Sequence, residues 1–92
     1  MKIYNKLFIT REKTLKAFDE LVDYYVSLNK SDFFDTIEIN KPSPKDRTDF
    51  LKGTGWLVCS IDHTNKLTGH RRITIEIMPN QGKIQLFARV IH

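Results

Sequence analysis

The strongest constraint in this chain is the alternation that runs through its last 24 residues. Ile73, Ile75 and Ile77 alternate with Arg72, Thr74 and Glu76, and after Pro79-Asn80-Gln81-Gly82 the residues Ile84, Leu86 and Ala88 alternate with Gln85, Phe87 and Arg89. Successive side chains of a strand point to opposite faces, so this pattern predicts a β-hairpin of two strands, Arg71 to Met78 and Lys83 to Ile91, with one apolar face. A turn over residues 79–82 pairs Met78 with Lys83, Ile77 with Ile84, Ile75 with Leu86 and Ile73 with Ala88. The same register sets Arg72 opposite Arg89, Thr74 opposite Phe87 and Glu76 opposite Gln85. Like charges directly opposed destabilise a sheet unless an anion lies between them, so the pairing points to an anion-binding face.

The rest of the chain divides into shorter signals. Ile3, Tyr4, Leu7, Phe8 and Ile9 predict a first strand over residues 2 to 9. Thr10 is a fitting N-cap for a main amphipathic helix from Arg11 to about Asn29, in which Leu15, Phe18, Val22, Tyr25 and Val26 recur at three- and four-residue steps,. Phe33 to Ile39 predicts a second strand. Ser43-Pro44-Lys45-Asp46, with Gly53 where a C-terminal cap is wanted, predicts a short helix from Pro44 to Lys52. Trp56 to Ile61 predicts a third strand, followed by a polar connection from Asp62 to His70. One α+β domain over residues 1–92 is therefore expected, with both helices packed on a four- to five-stranded, mostly antiparallel sheet in the order β-α-β-α-β-β-β. Leu57, Cys59 and Ile61 should join the apolar face of the hairpin. Trp56 and Val58 should stand beside Phe87 and Ile91 on the opposite face, which then needs a cover: the short helix, a ligand or a second copy in a homodimer.

Length and composition narrow the function. A chain of 92 residues holds one core and has little room for a large internal active-site cavity,. The net charge of +4 is uneven: residues 1–40 carry 6 basic and 7 acidic side chains, and residues 41–92 carry 9 basic and 4 acidic. Such a bias favours an acidic partner. The start of the chain has no apolar run long enough for a signal peptide, and no segment approaches the roughly 20 apolar residues of a membrane span, so a cytoplasmic location without a membrane partner is expected. The abundance of Lys, Asn, Ile and Phe fits an AT-rich genome, of a phage or a bacterium.

The expected binding face carries His70, Arg72, Phe87 and Arg89, with Lys83 and Lys66 adding positive field. Guanidiniums pair with phosphates and an exposed ring stacks on an unpaired base, so RNA or single-stranded DNA is the expected partner. A simpler reading pairs the two arginines with Asp62 or Glu76 and packs Phe87 under the short helix. A different class of function, a small inhibitor or adaptor on a larger, possibly host, protein, would use the acidic helix residues Asp19, Glu20 and Asp23, with Asp32 and Asp35 beyond them. A third, metal-independent endoribonuclease activity, would use His70 or His92 with Arg72 and Arg89. This layout resembles RelE-type toxins in general architecture, although no motif matches residue by residue and the helical hairpin expected after the first strand is absent.

No catalytic residue, cofactor or metal is expected. His63, His70, His92 and Asp62 lack a metal-ligand spacing. Gly53-Thr54-Gly55 precedes a strand and lacks the ending of a phosphate-binding loop. Cys59 has no partner for a disulfide and reads as a buried thiol.

Overall fold

The computed structural model describes residues 2–28, 36–53, 55–65 and 69–91. Its elements are β1 (Lys2–Phe8), α1 (Arg11–Leu28), β2 (Thr36–Asn40), α2 (Pro44–Leu51), β3 (Leu57–Asn65), β4 (Gly69–Asn80) and β5 (Lys83–Ile91). The order is that expected from the sequence, and the fold is α+β. All five strands form one antiparallel sheet in the order β1-β5-β4-β3-β2.

Local chemistry explains where the helices start. Thr10 caps α1, its Oγ1 accepting from the Lys13 amide at 3.4 Å while its carbonyl accepts from Thr14 Oγ1 at 2.7 Å,. Ser43 caps α2 in the same way, its Oγ accepting from the Asp46 amide at 3.1 Å, with Pro44 preset for the first turn,. Both helices lie on one face of the sheet. Phe18, Leu21 and Val22 of α1 and Phe50 of α2 form one core with Leu57, Cys59, Ile61, Ile73, Ile75, Ile77, Ile84, Leu86 and Ala88. Arg47 fastens the helices together, donating through Nη1 and Nη2 to the two carboxylate oxygens of Asp19 at 2.8 and 2.7 Å.

Three expectations are corrected. The hairpin register is shifted by two residues: Asn80 pairs with Lys83, Ile77 with Leu86, Ile75 with Ala88, Thr74 with Arg89 and Arg72 with Ile91. Arg72 therefore does not oppose Arg89. The turn is only Gln81-Gly82, whose φ values of 49° and 79° are both positive, as a two-residue type I′ turn requires,. Pro79 stays inside β4, opposite Ile84, and this is tolerated because β3 starts at Leu57, opposite Ile77, so no described residue pairs with Pro79 on that side,.

The polar connection from Asp62 to His70 is the second correction. β3 continues through it to Asn65, with Asp62 opposite Arg72, His63 opposite Arg71 and Thr64 opposite His70. The segment reads as a loop because it lacks apolar alternation, and in the sheet Asp62 is ion-paired with Arg72 across the strands. His63 turns to the core side and is 1% exposed, so it is not a loop histidine. The third correction concerns the short helix, which does not cover the opposite face: Phe50 packs with α1 and the core side of β3.

Of the predicted second strand, residues 33–35 lie outside the described residues, as do Lys66, His92, Asp32 and Asp35. Among the described residues, no helix is long and apolar enough to cross a membrane.

Candidate nucleic-acid interface

With both helices on one side, no described element covers the outer face of the sheet, and its side chains stand in rows set by the register. One row runs Glu38, Asp62, Arg72, Ile91. The next runs Asn40, Ser60, Thr74, Arg89, Lys2, and the one after it Val58, Glu76, Phe87, Asn5. Because the shift in register is two residues, parity is preserved. Every residue assigned to the outer face of the hairpin is still there, but its neighbours have changed.

The first row ends in a salt-bridged cluster. Asp62 Oδ1 accepts from Arg72 Nε at 2.7 Å, and His70 Nε2 lies 3.0 Å from the same oxygen. The hydrogen bond from Arg72 holds the Asp62 carboxyl below the usual carboxylate range, and the contact with His70 acts in the same direction,.

The second and third rows share a different arrangement. Arg89 Nε donates to Glu76 Oε2 at 3.1 Å, and its guanidinium lies 5.7 Å from the centroid of the Phe87 ring. Lys2 Nζ lies 5.1 Å from the same centroid. Phe87 is thereby reduced to 6% exposure on a face that no helix covers. Beside it Trp56 is 63% and Val58 47% exposed. These side chains, with Glu76 and Met78, line a groove of about 320 Å³ whose floor is apolar and whose cations are Lys2 and Arg89.

The structure thus gathers only part of the expected site. Arg89 and Phe87 are adjacent, and His70 and Arg72 are adjacent, but the two pairs belong to separate clusters. Lys83 lies at the hairpin tip opposite Asn80, eight residues along β4 from Arg72, a distance of about 26 Å at 3.3 Å per residue,. The arginines do pair with carboxylates as the simpler reading expects, Arg72 with Asp62 and Arg89 with Glu76. Phe87 is sheltered by Lys2 and Arg89 instead of the short helix.

Only Phe87 and Arg89 of this groove are expected binding residues; Lys2, Trp56, Val58, Glu76, Ile77 and Met78 join them in lining it. Lys2 is brought there by the pairing of β1 with β5, which sets it opposite Arg89, and nothing local in the sequence encodes that contact. Trp56 stands beside Phe87 on this face, as the alternation predicts, and its exposure there makes it a stacking surface.

The other candidates occupy other places. Asp19 is engaged by Arg47, and with Asp23 it lines a groove between α1 and Lys41 and Pro42, whereas Glu20 lines a different groove beside β1. Of the proposed ribonuclease set, His70 and Arg72 share Asp62, Arg89 lies opposite Thr74, four residues along β4 from His70, about 13 Å, and His92 lies outside the described residues,. Among the described residues, no group of three or more His, Cys, Asp or Glu is placed to hold a metal ion. Cys59 is fully buried, and burial pushes its thiol pKa up. No protein-family model, curated protein or solved structure matches the chain.

Proposed function

We propose that this protein binds single-stranded nucleic acid, RNA in the first place, along the bare outer face of the sheet. The observation that supports this reading most directly is the groove of Trp56, Val58 and Phe87 flanked by Lys2 and Arg89. An apolar floor with an exposed indole gives an unpaired base a surface to stack on, worth about 1 to 3 kcal/mol per base, and flanking cations reach the phosphates on either side. Duplex bases are already stacked on each other, so this chemistry favours single strands.

The carboxylates on the face set the strength of that binding. Arg72 and Arg89 meet a phosphate only by sharing or leaving Asp62 and Glu76, so affinity is moderate and strongly dependent on salt. Catalysis forms no part of this function.

Fluorescence anisotropy of labelled single-stranded RNA at several salt concentrations tests the reading. A log-log salt slope of several units is expected, falling by about one each in Arg72→Ala and Arg89→Ala. Glu76→Gln should tighten binding by several-fold, because it frees Arg89 and removes a negative charge from the groove. Salt-independent binding, or a Glu76→Gln variant that binds more weakly, would refute the proposal. Cleavage of the RNA during the titration would instead favour an endoribonuclease.

A further inference from the structure

A second groove, on the opposite side of the sheet, carries its own charge and its own apolar walls. Among the described residues β1 is an outer strand paired only with β5, so the backbone N–H and C=O groups along its other side have no ladder there to join,. Between β1 and α1 lies a cavity of about 480 Å³ with Tyr4, Phe8 and Tyr24 among its walls and Lys6, Lys13 and Lys16 facing a single carboxylate, Glu20. Lys6 Nζ lies 5.1 Å from the centroid of the Phe8 ring. None of the three lysines forms an ion pair among the described residues. On the outer side of the same strand, Leu7 is 48% exposed.

From this arrangement we infer that the edge of β1 takes an extended segment of a partner protein as a sixth strand, one in which acidic and apolar residues alternate. An extended peptide supplies backbone donors and acceptors in the spacing that a strand edge needs, which a phosphodiester chain does not. Its side chains project alternately to the two faces of the sheet. One set falls into the lysine groove beside Lys6, where carboxylates are favoured, and the other lies beside Leu7, where apolar groups are favoured. The bulge between Lys2 and Tyr4 breaks the regular edge at its start, so the docking stretch is Tyr4 to Phe8,. Edge lysines deter neutral strands and further copies of this chain, and the same charges select an acidic segment.

The test uses the whole protein and a short fluorescein-labelled peptide of alternating glutamate and valine, with a lysine-and-valine peptide as control. Salt-sensitive binding of the acidic peptide is expected, together with slowed amide exchange from Asn5 to Phe8. The Lys6→Glu, Lys13→Glu, Lys16→Glu triple variant should lose affinity by about tenfold or more while its melting temperature stays near that of the wild type. Equal binding by the wild type and the triple variant, or by both peptides, would overturn the inference. Displacement of the peptide by single-stranded RNA would assign the groove to nucleic acid and overturn it as well. Peptide-free protection of the β1 amides that grows with protein concentration would assign the edge to a second copy, with the same result.

Discussion

At the scale of single residues, two titrating groups make the folded state sensitive to acid for opposite chemical reasons. His63 sits on the core side opposite Ile37 and Arg71, and burial first, then the nearby Arg71 charge, lowers its pKa from the usual 6.5. The unfolded chain therefore takes up this proton at a higher pH than the folded chain, and stability falls as pH drops below about 6.5, by at most about 1.4 kcal/mol per pH unit for one proton. Asp62 has the opposite charge and a lowered pKa, so its contribution is complete above about pH 4 and is lost only as pH falls through the value of the folded state,. Urea midpoints measured between about pH 7 and pH 5 should decline in the wild type, and the decline should flatten in His63→Leu. An unchanged slope in that variant would mean that His63 does not carry the dependence. From sequence His63 reads as a loop residue because the polar stretch around it hides the strand. Its burial depends on β4 lying alongside.

At the scale of elements, the hairpin shows which parts of a sheet a sequence encodes. Faces depend on parity alone, so the core positions Ile73, Ile75, Ile77, Ile84, Leu86 and Ala88 are legible from alternation,. Cross-strand neighbours depend on turn length, and there proline misleads. Pro79 is a usual turn marker but remains in the ladder, because β3 ends short of it,. The opposition of Arg72 and Arg89 fails with that turn, and what takes its place is a carboxylate for each arginine. The two-residue turn has a measurable cost at its first position, where Gln81 holds a φ of 49° that glutamine rarely adopts,. Gln81→Asn should therefore raise stability by a few tenths of a kcal/mol, and Gly82→Ala should lower it by about 1 kcal/mol, in chemical denaturation. A Gly82→Ala variant as stable as the wild type would argue against the left-handed turn. The capped starts of α1 and α2 are legible from Thr10 and Ser43, but the Arg47 to Asp19 contact that joins the helices is not, since 28 residues separate its partners.

At the scale of the whole molecule, two helices on one face of a five-stranded sheet leave two layers and no third among the described residues. Apolar residues then fall into two energetic groups. Phe18 is 1% exposed at the centre of the core, and Phe18→Ala should cost about 3 to 5 kcal/mol,. Trp56 is as large an aromatic but stands on the bare face, and Trp56→Ala should change stability by less than about 0.5 kcal/mol while weakening RNA binding. Denaturation and binding titrations on the two variants separate the groups, and a severe loss of stability in Trp56→Ala would mean that the face is not bare. The sequence alternation gives the half-apolar character of this face, but the absence of a cover follows only from where both helices pack. Lys2, at the other end of the chain, reaches the same face only because β1 joins β5.

The strand order also has a consequence in time. Among the described strands β1 precedes the rest, yet it pairs with β5, the one furthest from it in sequence, and β4 and β5 occupy the interior of the sheet that β1 borders. During synthesis β1 and α1 leave the ribosome long before the surface they rest against exists. The sheet cannot close from its beginning. The local hairpin of β4 and β5 closes a two-residue loop, whereas pairing β1 with β5 spans most of the described chain, so loop-closure entropy favours the hairpin as seed and β1 as a later addition,.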